Sequence, residues 1–495
     1  MRFIDLFAGL GGFHVALSQL GHECVFASEI NNEVRELYSK NFPSMHGKIY
    51  GDIRTAKAYV PPHDILCAGF PCQPFSKSGE QLGTSDQTRG TLFHEIIDIL
   101  RKWMPQYVIL ENVGNFARHD SGRTWRIVRD QLQRMGYSVA GTEHRTPPNR
   151  ADWRDVGASA NNKRSGTRIV DSHAPGTGLL SPHHFGHPHH RERFFIVASL
   201  NGLPVIPFPE AIPEVKTSLD DIVQSIEDLT DDDVRETGLT DQQQSCIVHW
   251  DQFLRSIPTH IEIPSFPMWG DEIDATYPFL TQTPWATSPA VLGQCFNPPF
   301  PKYTRKTEML DRLPSYAREE EQSFRHWKIR YIEQNRNWWS QVSPFLPDGW
   351  VERLRAFPPS LRKLEWNAKG EERDIWKYVM QFRPSGLRIK RFSSSPALVA
   401  MTETQIPILG PKKRFLTRVE GLRLQGFKDS HHLPLSRVQA FRALGNAVHA
   451  DVVRRIAEHL IQPTIPSTCT TCKQSYVTTH QLATQTLLET AQCPT

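Results

Sequence analysis

The sequence predicts an α/β fold on a mostly parallel sheet, because three apolar runs each end in a turn rich in reactive residues. Phe3-Ile4-Asp5-Leu6 runs into the glycine turn Ala8-Gly9-Leu10-Gly11-Gly12, after which His14-Val15-Ala16-Leu17 opens a helix. Asp64-Ile65-Leu66-Cys67-Ala68 runs into Gly69-Phe70-Pro71-Cys72-Gln73-Pro74-Phe75-Ser76, where the Gly/Pro pair ends the strand. Tyr107-Val108-Ile109-Leu110 delivers Glu111-Asn112-Val113. At 495 residues the chain exceeds one ordinary core, and its length suggests two or three domains.

Each element then has a chemical reading. Glycine lets the backbone approach a ligand closely, and a helix N-terminus offers free N–H groups. A bare tight turn has the same pattern, so the loop counts only with its neighbours. The strand Glu23–Ser28 ends on Glu29, about 20 residues past the loop, a spacing that suits a carboxylate bonded to a ribose. Gly51-Asp52-Ile53 brings a second acid, suited to an adenine amino group. Together they describe an adenosine pocket. The loop lacks the GxGxxG pattern and no phosphate-binding Lys follows it, so S-adenosylmethionine fits better than NAD or ATP.

Cys72 sits at the C-terminal edge of the sheet, where open α/β folds place their chemistry. A single cysteine is ordinarily a small buried hydrophobe, but the neighbouring segments make sense only around a nucleophile. A carboxyl group leaving a buried strand, such as Glu111, has its pKa raised by desolvation. A structural, salt-bridged glutamate is the plainer alternative. In His189-His190-Arg191-Glu192-Arg193, the two arginines are two apart and point to one side of an extended chain. They suit a base carbonyl, a phosphate, or Glu111 itself.

Composition sets limits. The net charge of +4 is mild, so any nucleic-acid face must come from local clustering. No apolar run approaches the ~20 residues of a membrane span. Met1-Arg2-Phe3 leads straight into a strand, and no signal peptide is expected. Eight scattered cysteines give no disulfide framework, and a nucleophilic thiol points to a reducing, cytoplasmic setting.

The ordered motifs resemble the DNA cytosine-5 methyltransferase family. They are Asp5–Gly12, Glu29, Gly51-Asp52-Ile53, the segment around Cys72, Glu111-Asn112-Val113 and Arg191-Glu192-Arg193. After a long variable region come Arg418–Phe427 and Gly445-Asn446-Ala447-Val448. The match covers roughly residues 1–200 and 383–460. It departs from the family at His189, where Gln is usual, at Ile30, where an adenine-stacking Trp is common, and at Lys428, where Pro is usual. Residues 145–181 look like an insertion.

The resemblance implies a Rossmann-like, S-adenosylmethionine-dependent domain over residues 1–200, with a smaller target-recognition domain inserted over 201–437. A closing helix over 438–462 would return to the first domain, and 463–495 would form a disordered tail. It implies Cys72, Glu111, Arg191 and Arg193 as catalytic, with Phe7, Gly9, Gly11, Glu29, Ile30, Asp52, Ile53, Pro71 and Asn446 around the cofactor. Gln73, Ser76 and Arg89 would touch DNA from a closing loop. The expected substrate is double-stranded DNA. The expected partner is a restriction endonuclease of the same system, without a stable complex, and the enzyme is expected to be a monomer with no metal. A transfer-RNA cytosine methyltransferase and an inactive DNA-binding module are the rival readings. The first lacks its Cys-Phe-Thr signature here, and the second is at odds with the retained Cys72 and Glu111.

The middle of the chain is read from its residues. Residues 210–241 are acidic, peaking at Asp231-Asp232-Asp233, and suit an outer solvated face. Phe324, Trp327, Tyr331 and Trp338 have helical spacing and predict a packed helix face. Asp348 is placed to cap a helix from Trp350 that Pro358-Pro359 ends. Basic residues gather from Arg353 to Arg391 and favour a DNA-facing wall. The His183, His184, His187, His189, His190 cluster lacks completing ligands, and Cys469/Cys472 is a marginal zinc candidate.

Overall fold

The computed structural model describes residues 1–71, 92–141, 178–213, 215–398 and 402–461. Cys72, Gln73, Ser76 and Arg89 therefore lie outside the described residues, as do the tail 463–495 with Cys469 and Cys472 and most of the expected 145–181 insertion.

The first sheet is Rossmann-like. Its strands are β1 (Arg2–Leu6), β2 (Glu23–Ser28), β3 (Ile49–Tyr50), β4 (Ile65–Gly69), β5 (Tyr107–Val113), β6 (Ser138–Ala140), β7 (Leu179–Leu180) and β9 (Arg193–Ser199). The short β8 (His189–His190) stands apart from it. The order is β3-β2-β1-β4-β5-β9-β6, with β7 beside β9. The first five strands are parallel, and β9 runs antiparallel to β5. The order reverses at β1/β4, the crevice where open α/β sheets bind ligands.

Both faces of this sheet are covered, which is why its strands read as unbroken apolar runs. Alternate residues serve opposite cores. Ile4, Leu66, Val108 and Leu110 pack against α4 (Leu92–Trp103) and α5 (Arg123–Arg134). Phe3, Ile65, Cys67 and Ile109 pack against α1 (Gly12–Gln19) and the helix Ala450–Leu460. The single closing helix expected over 438–462 is in fact two, Arg437–Asn446 and Ala450–Leu460. The break comes where Ala447 turns extended and its carbonyl is taken by Arg191.

The second sheet has the order β10-β11-β13-β12-β15-β16. Its strands are β10 (Met268–Trp269), β11 (Lys363–Asn367), β12 (Val379–Arg383), β13 (Gly386–Lys390), β15 (Ile408–Leu409) and β16 (Arg414–Phe415), while β14 (Ser395–Pro396) pairs instead with β8. Trp250, Phe253, Trp339 and Trp350 fill its core, which continues to Leu10 and Leu444 in the first lobe. Two local expectations need correction. The helix His326–Val342 buries the expected Trp338, with Phe324 buried just before it, but its buried stripe runs through Lys328, Ile332, Asn335 and Trp339, and Trp327 stays 49% exposed. Gly349, at φ +68°, replaces Asp348 as the cap of Trp350–Ala356. The Asp231-Asp232-Asp233 run does form an exposed first helical turn, where acids suit the helix dipole. Among the described residues no helix is long and apolar enough to cross a membrane.

Candidate active site

The ends of β1, β2, β4 and β5 open on one cavity of about 610 Å³. Phe7, Gly9, Glu29, Ile30, Asp52, Ile53, Pro71, Glu111, Arg191, Arg193 and Asn446 all line it. Gly11 does not. At φ +82° it leads into α1, and its missing side chain leaves room for the Phe42 and Tyr38 rings.

The adenosine end is built from turns. Phe7 holds φ +57° and Gly9 φ +53°, so the chain doubles back above β1. A left-handed phenylalanine is strained, which is the kind of cost found at ligand sites. Glu29 accepts from the Gly9 N–H at 3.0 Å and from the Asn31 N–H at 2.9 Å, tying the acid to the glycine loop. Asp52 caps α3 (Ile53–Ala56) and is ion-paired with Arg54, which holds its carboxyl below the usual range. Ile30 is 67% exposed on the rim. Ser28 lines the same cavity, and its buried hydroxyl has no hydrogen-bond partner among the described residues. Two carboxylates, an unmatched hydroxyl and apolar walls suit the hydroxyls, amine and ring of a nucleoside. They would repel a phosphate. The residues present therefore fit S-adenosylmethionine.

The other end holds Glu111, 8% exposed. It sits opposite Gly69 in the β4–β5 ladder, and a Cβ on Gly69 would stand 3.6 Å from its Oε2. Burial pushes its carboxyl pKa up, against the opposing pull of Arg193 and then Arg191. Arg193 Nε lies 3.0 Å from Glu111 Oε1. The two arginines divide their work. Arg191 is buried, and its guanidinium donates to the carbonyls of Gly445 (2.6 Å), Ala447 (2.8 Å) and Leu398 (3.3 Å). It thus fixes the turn carrying Asn446.

Sequence reasoning passed over several residues. Asn112 donates to the Phe70 carbonyl at 2.9 Å and pins the turn that leads to Cys72. Arg35 donates to the carbonyls of Glu29 (2.9 Å) and Ile30 (3.0 Å) from α2 (Asn32–Asn41). Gln439, Arg442 and Ala443 line the cavity with Asn446. Their i, i+3, i+4, i+7 spacing was the available signal.

Part of the basic run is neutralised. Arg362 pairs with Asp271, Lys377 with Glu372, Arg388 with Glu365 and Arg391 with Glu371. Arg383 and Lys390 form no ion pair among the described residues. Burial and neighbouring cations lower their pKa, and for Lys390 Glu192 of the first lobe is among the opposing influences. Among the described residues no group of His, Cys, Asp or Glu is arranged to hold a metal ion.

A family profile described as C-5 cytosine-specific DNA methylase matches residues 1–165 and 286–462. The Type II methyltransferase M.AluI of Cellulosimicrobium cellulans is 31% identical over 523 aligned positions, spanning 92% of this chain and 91% of that protein. M.HhaI of Haemophilus parahaemolyticus is 50% identical over 139 positions, 28% of this chain and 41% of that one. M.MspI of Moraxella sp is 35% identical over 225, 45% of this chain and 44% of that one.

Proposed function

Since the chain belongs to the C-5 cytosine-specific DNA methylase family and is a DNA cytosine-5 methyltransferase, we propose that Cys72 and Glu111 activate the base between them. The observation that carries this is the buried Glu111–Arg193 pair on the same cavity wall as Pro71, the residue before Cys72. Cytosine C5 is too weak a nucleophile to take a methyl group unaided. The Cys72 thiolate adds to C6 while Glu111 gives its proton to N3, which leaves an enamine rich in electrons at C5. Once C5 is methylated, its proton passes to solvent water as the C6–S bond breaks and the thiolate leaves, and the N3 proton returns to Glu111. When bound, S-adenosylmethionine supplies the electrophilic methyl group. Phe7, Ile30 and Ile53 would hold its ring, and Glu29 and Asp52 its hydroxyls and amine. The target base must leave the stack, at a cost of a few kcal/mol.

The most concrete biological reading is the modification enzyme of a restriction system, acting on double-stranded DNA. The Type II relatives favour it over a transfer-RNA substrate. Bisulfite mapping of plasmid DNA from cells expressing the chain tests this and gives the target sequence. Unmodified plasmid alongside modified RNA would overturn it.

Two further outcomes follow from the geometry. Arg35→Ala should raise KM for S-adenosylmethionine about fivefold, roughly 1 kcal/mol, with kcat little changed, since it loosens only the Glu29 turn. Steady-state kinetics at saturating DNA checks it. Residues 201–437 would form the recognition domain. There Arg383→Ala and Lys390→Ala should each weaken DNA binding and flatten its salt dependence by about one unit. Arg362→Ala, whose charge is spent on Asp271, should leave that slope alone.

A further inference from the structure

Three alternate residues of one extended stretch grip three different parts of the molecule. Arg193 holds Glu111, and Arg191 holds the turn at Asn446. His189 is fully buried, and its Nδ1 lies 2.9 Å from the Leu424 carbonyl. A carbonyl can only accept, so Nδ1 carries the proton. Nε2 has no hydrogen-bond partner among the described residues.

Leu424 is the last residue of the helix Arg418–Leu424, and the final carbonyls of a helix lack partners within it. His189 therefore caps that helix from a distant part of the chain. The following residue ties the same corner to the C-terminal helices. The Gln425 side chain donates to the Leu444 carbonyl, and the Gln425 backbone carbonyl accepts from the Ala450 N–H at 3.1 Å. Next to it, β8 pairs with β14, which follows the second sheet's β13, and the Ser395 N–H donates to the Pro188 carbonyl at 2.7 Å. His189 stands where the catalytic strand, the second lobe and the returning chain meet.

We propose that His189 is a positioning residue that sets the second lobe at the angle where DNA reaches Glu111, by capping the helix Arg418–Leu424 at Leu424. The proposal rests on the reading of residues 201–437 as the recognition domain, which places DNA between that lobe and the catalytic one. What the position needs is a hydrogen-bond donor of the right length. Glutamine supplies one, asparagine falls short, and leucine fills the space without donating.

The full chain with His189→Leu, His189→Gln or His189→Asn is compared with wild type for DNA KM, kcat and calorimetric affinity for S-adenosylmethionine. His189→Leu should raise DNA KM about tenfold and leave cofactor affinity within about twofold, and His189→Gln should restore DNA KM to near wild type. Equal damage from Leu and Gln, an unchanged DNA KM in the Leu variant, or a parallel loss of cofactor affinity would overturn the proposal. If the Leu variant does not fold, the Gln/Asn pair decides. Impaired DNA KM in Asn alone supports it, and indistinguishable behaviour overturns it. A wild type that methylates no DNA would instead sink the methyltransferase reading.

Discussion

Cys72→Ala is expected to abolish methyl transfer while S-adenosylmethionine affinity stays within about twofold of wild type, because the thiol and the adenosine walls are separate groups. Without a nucleophile at C6 the ring keeps its aromaticity, and C5 has no electrons to offer. The covalent step can be read directly. DNA carrying 5-fluorocytosine at the target should become attached to the enzyme when S-adenosylmethionine is present. Attack at C6 and methylation at C5 can both proceed, but fluorine cannot leave as a cation, so elimination stalls. A peptide containing Cys72 should carry the added mass after denaturation. Cys67 is the internal control. It lies fully buried in β4, and burial pushes its thiol far above the range in which a thiolate forms. Mass on Cys67, or continued methylation of ordinary DNA with no adduct, would refute the assignment.

Glu111→Gln should keep DNA and cofactor binding and lose at least tenfold in turnover, about 1.4 kcal/mol or more. The substitution is well matched to the site. A Gln carbonyl can still accept from Arg193 Nε, so the side chain has a reason to stay in place, yet its amide has no acidic proton for N3. The raised carboxyl pKa is what lets the wild-type residue keep that proton nearer neutrality. It also sets a direction for the pH profile. Turnover that needs the protonated acid should decline as pH climbs through that raised pKa. A loss smaller than tenfold in single-turnover kinetics would place the donor elsewhere.

The parallel half of the sheet and its reactive edge were legible because both depend on local pattern. Apolar runs mark strands covered on two faces, and the residue that ends each run stands at the crevice. Glu29 and Glu111 were read this way, and both line the cavity. What could not be read depends on partners far along the chain. Arg191 and Arg193 look alike in sequence, but one meets carbonyls near residue 446 and the other a carboxylate on β5. The same holds for the basic run. Composition showed cations without the carboxylates of Asp271 and Glu365 that neutralise Arg362 and Arg388. Trp327 failed for a related reason. Helical spacing shows that a stripe exists, and only the neighbouring core decides which stripe is buried.

The helix Ala450–Leu460 packs on α1 through Val453, Ile456 and Ala457, and Gly12 has no side chain because Val448 occupies that space. The last described helix thus completes the layer that the first one begins. The first lobe therefore lacks part of this layer until residues 448–460 have left the ribosome. Premature termination anywhere in the second lobe also removes Asn446 and the wall beside it. Such a fragment lacks a finished site cavity.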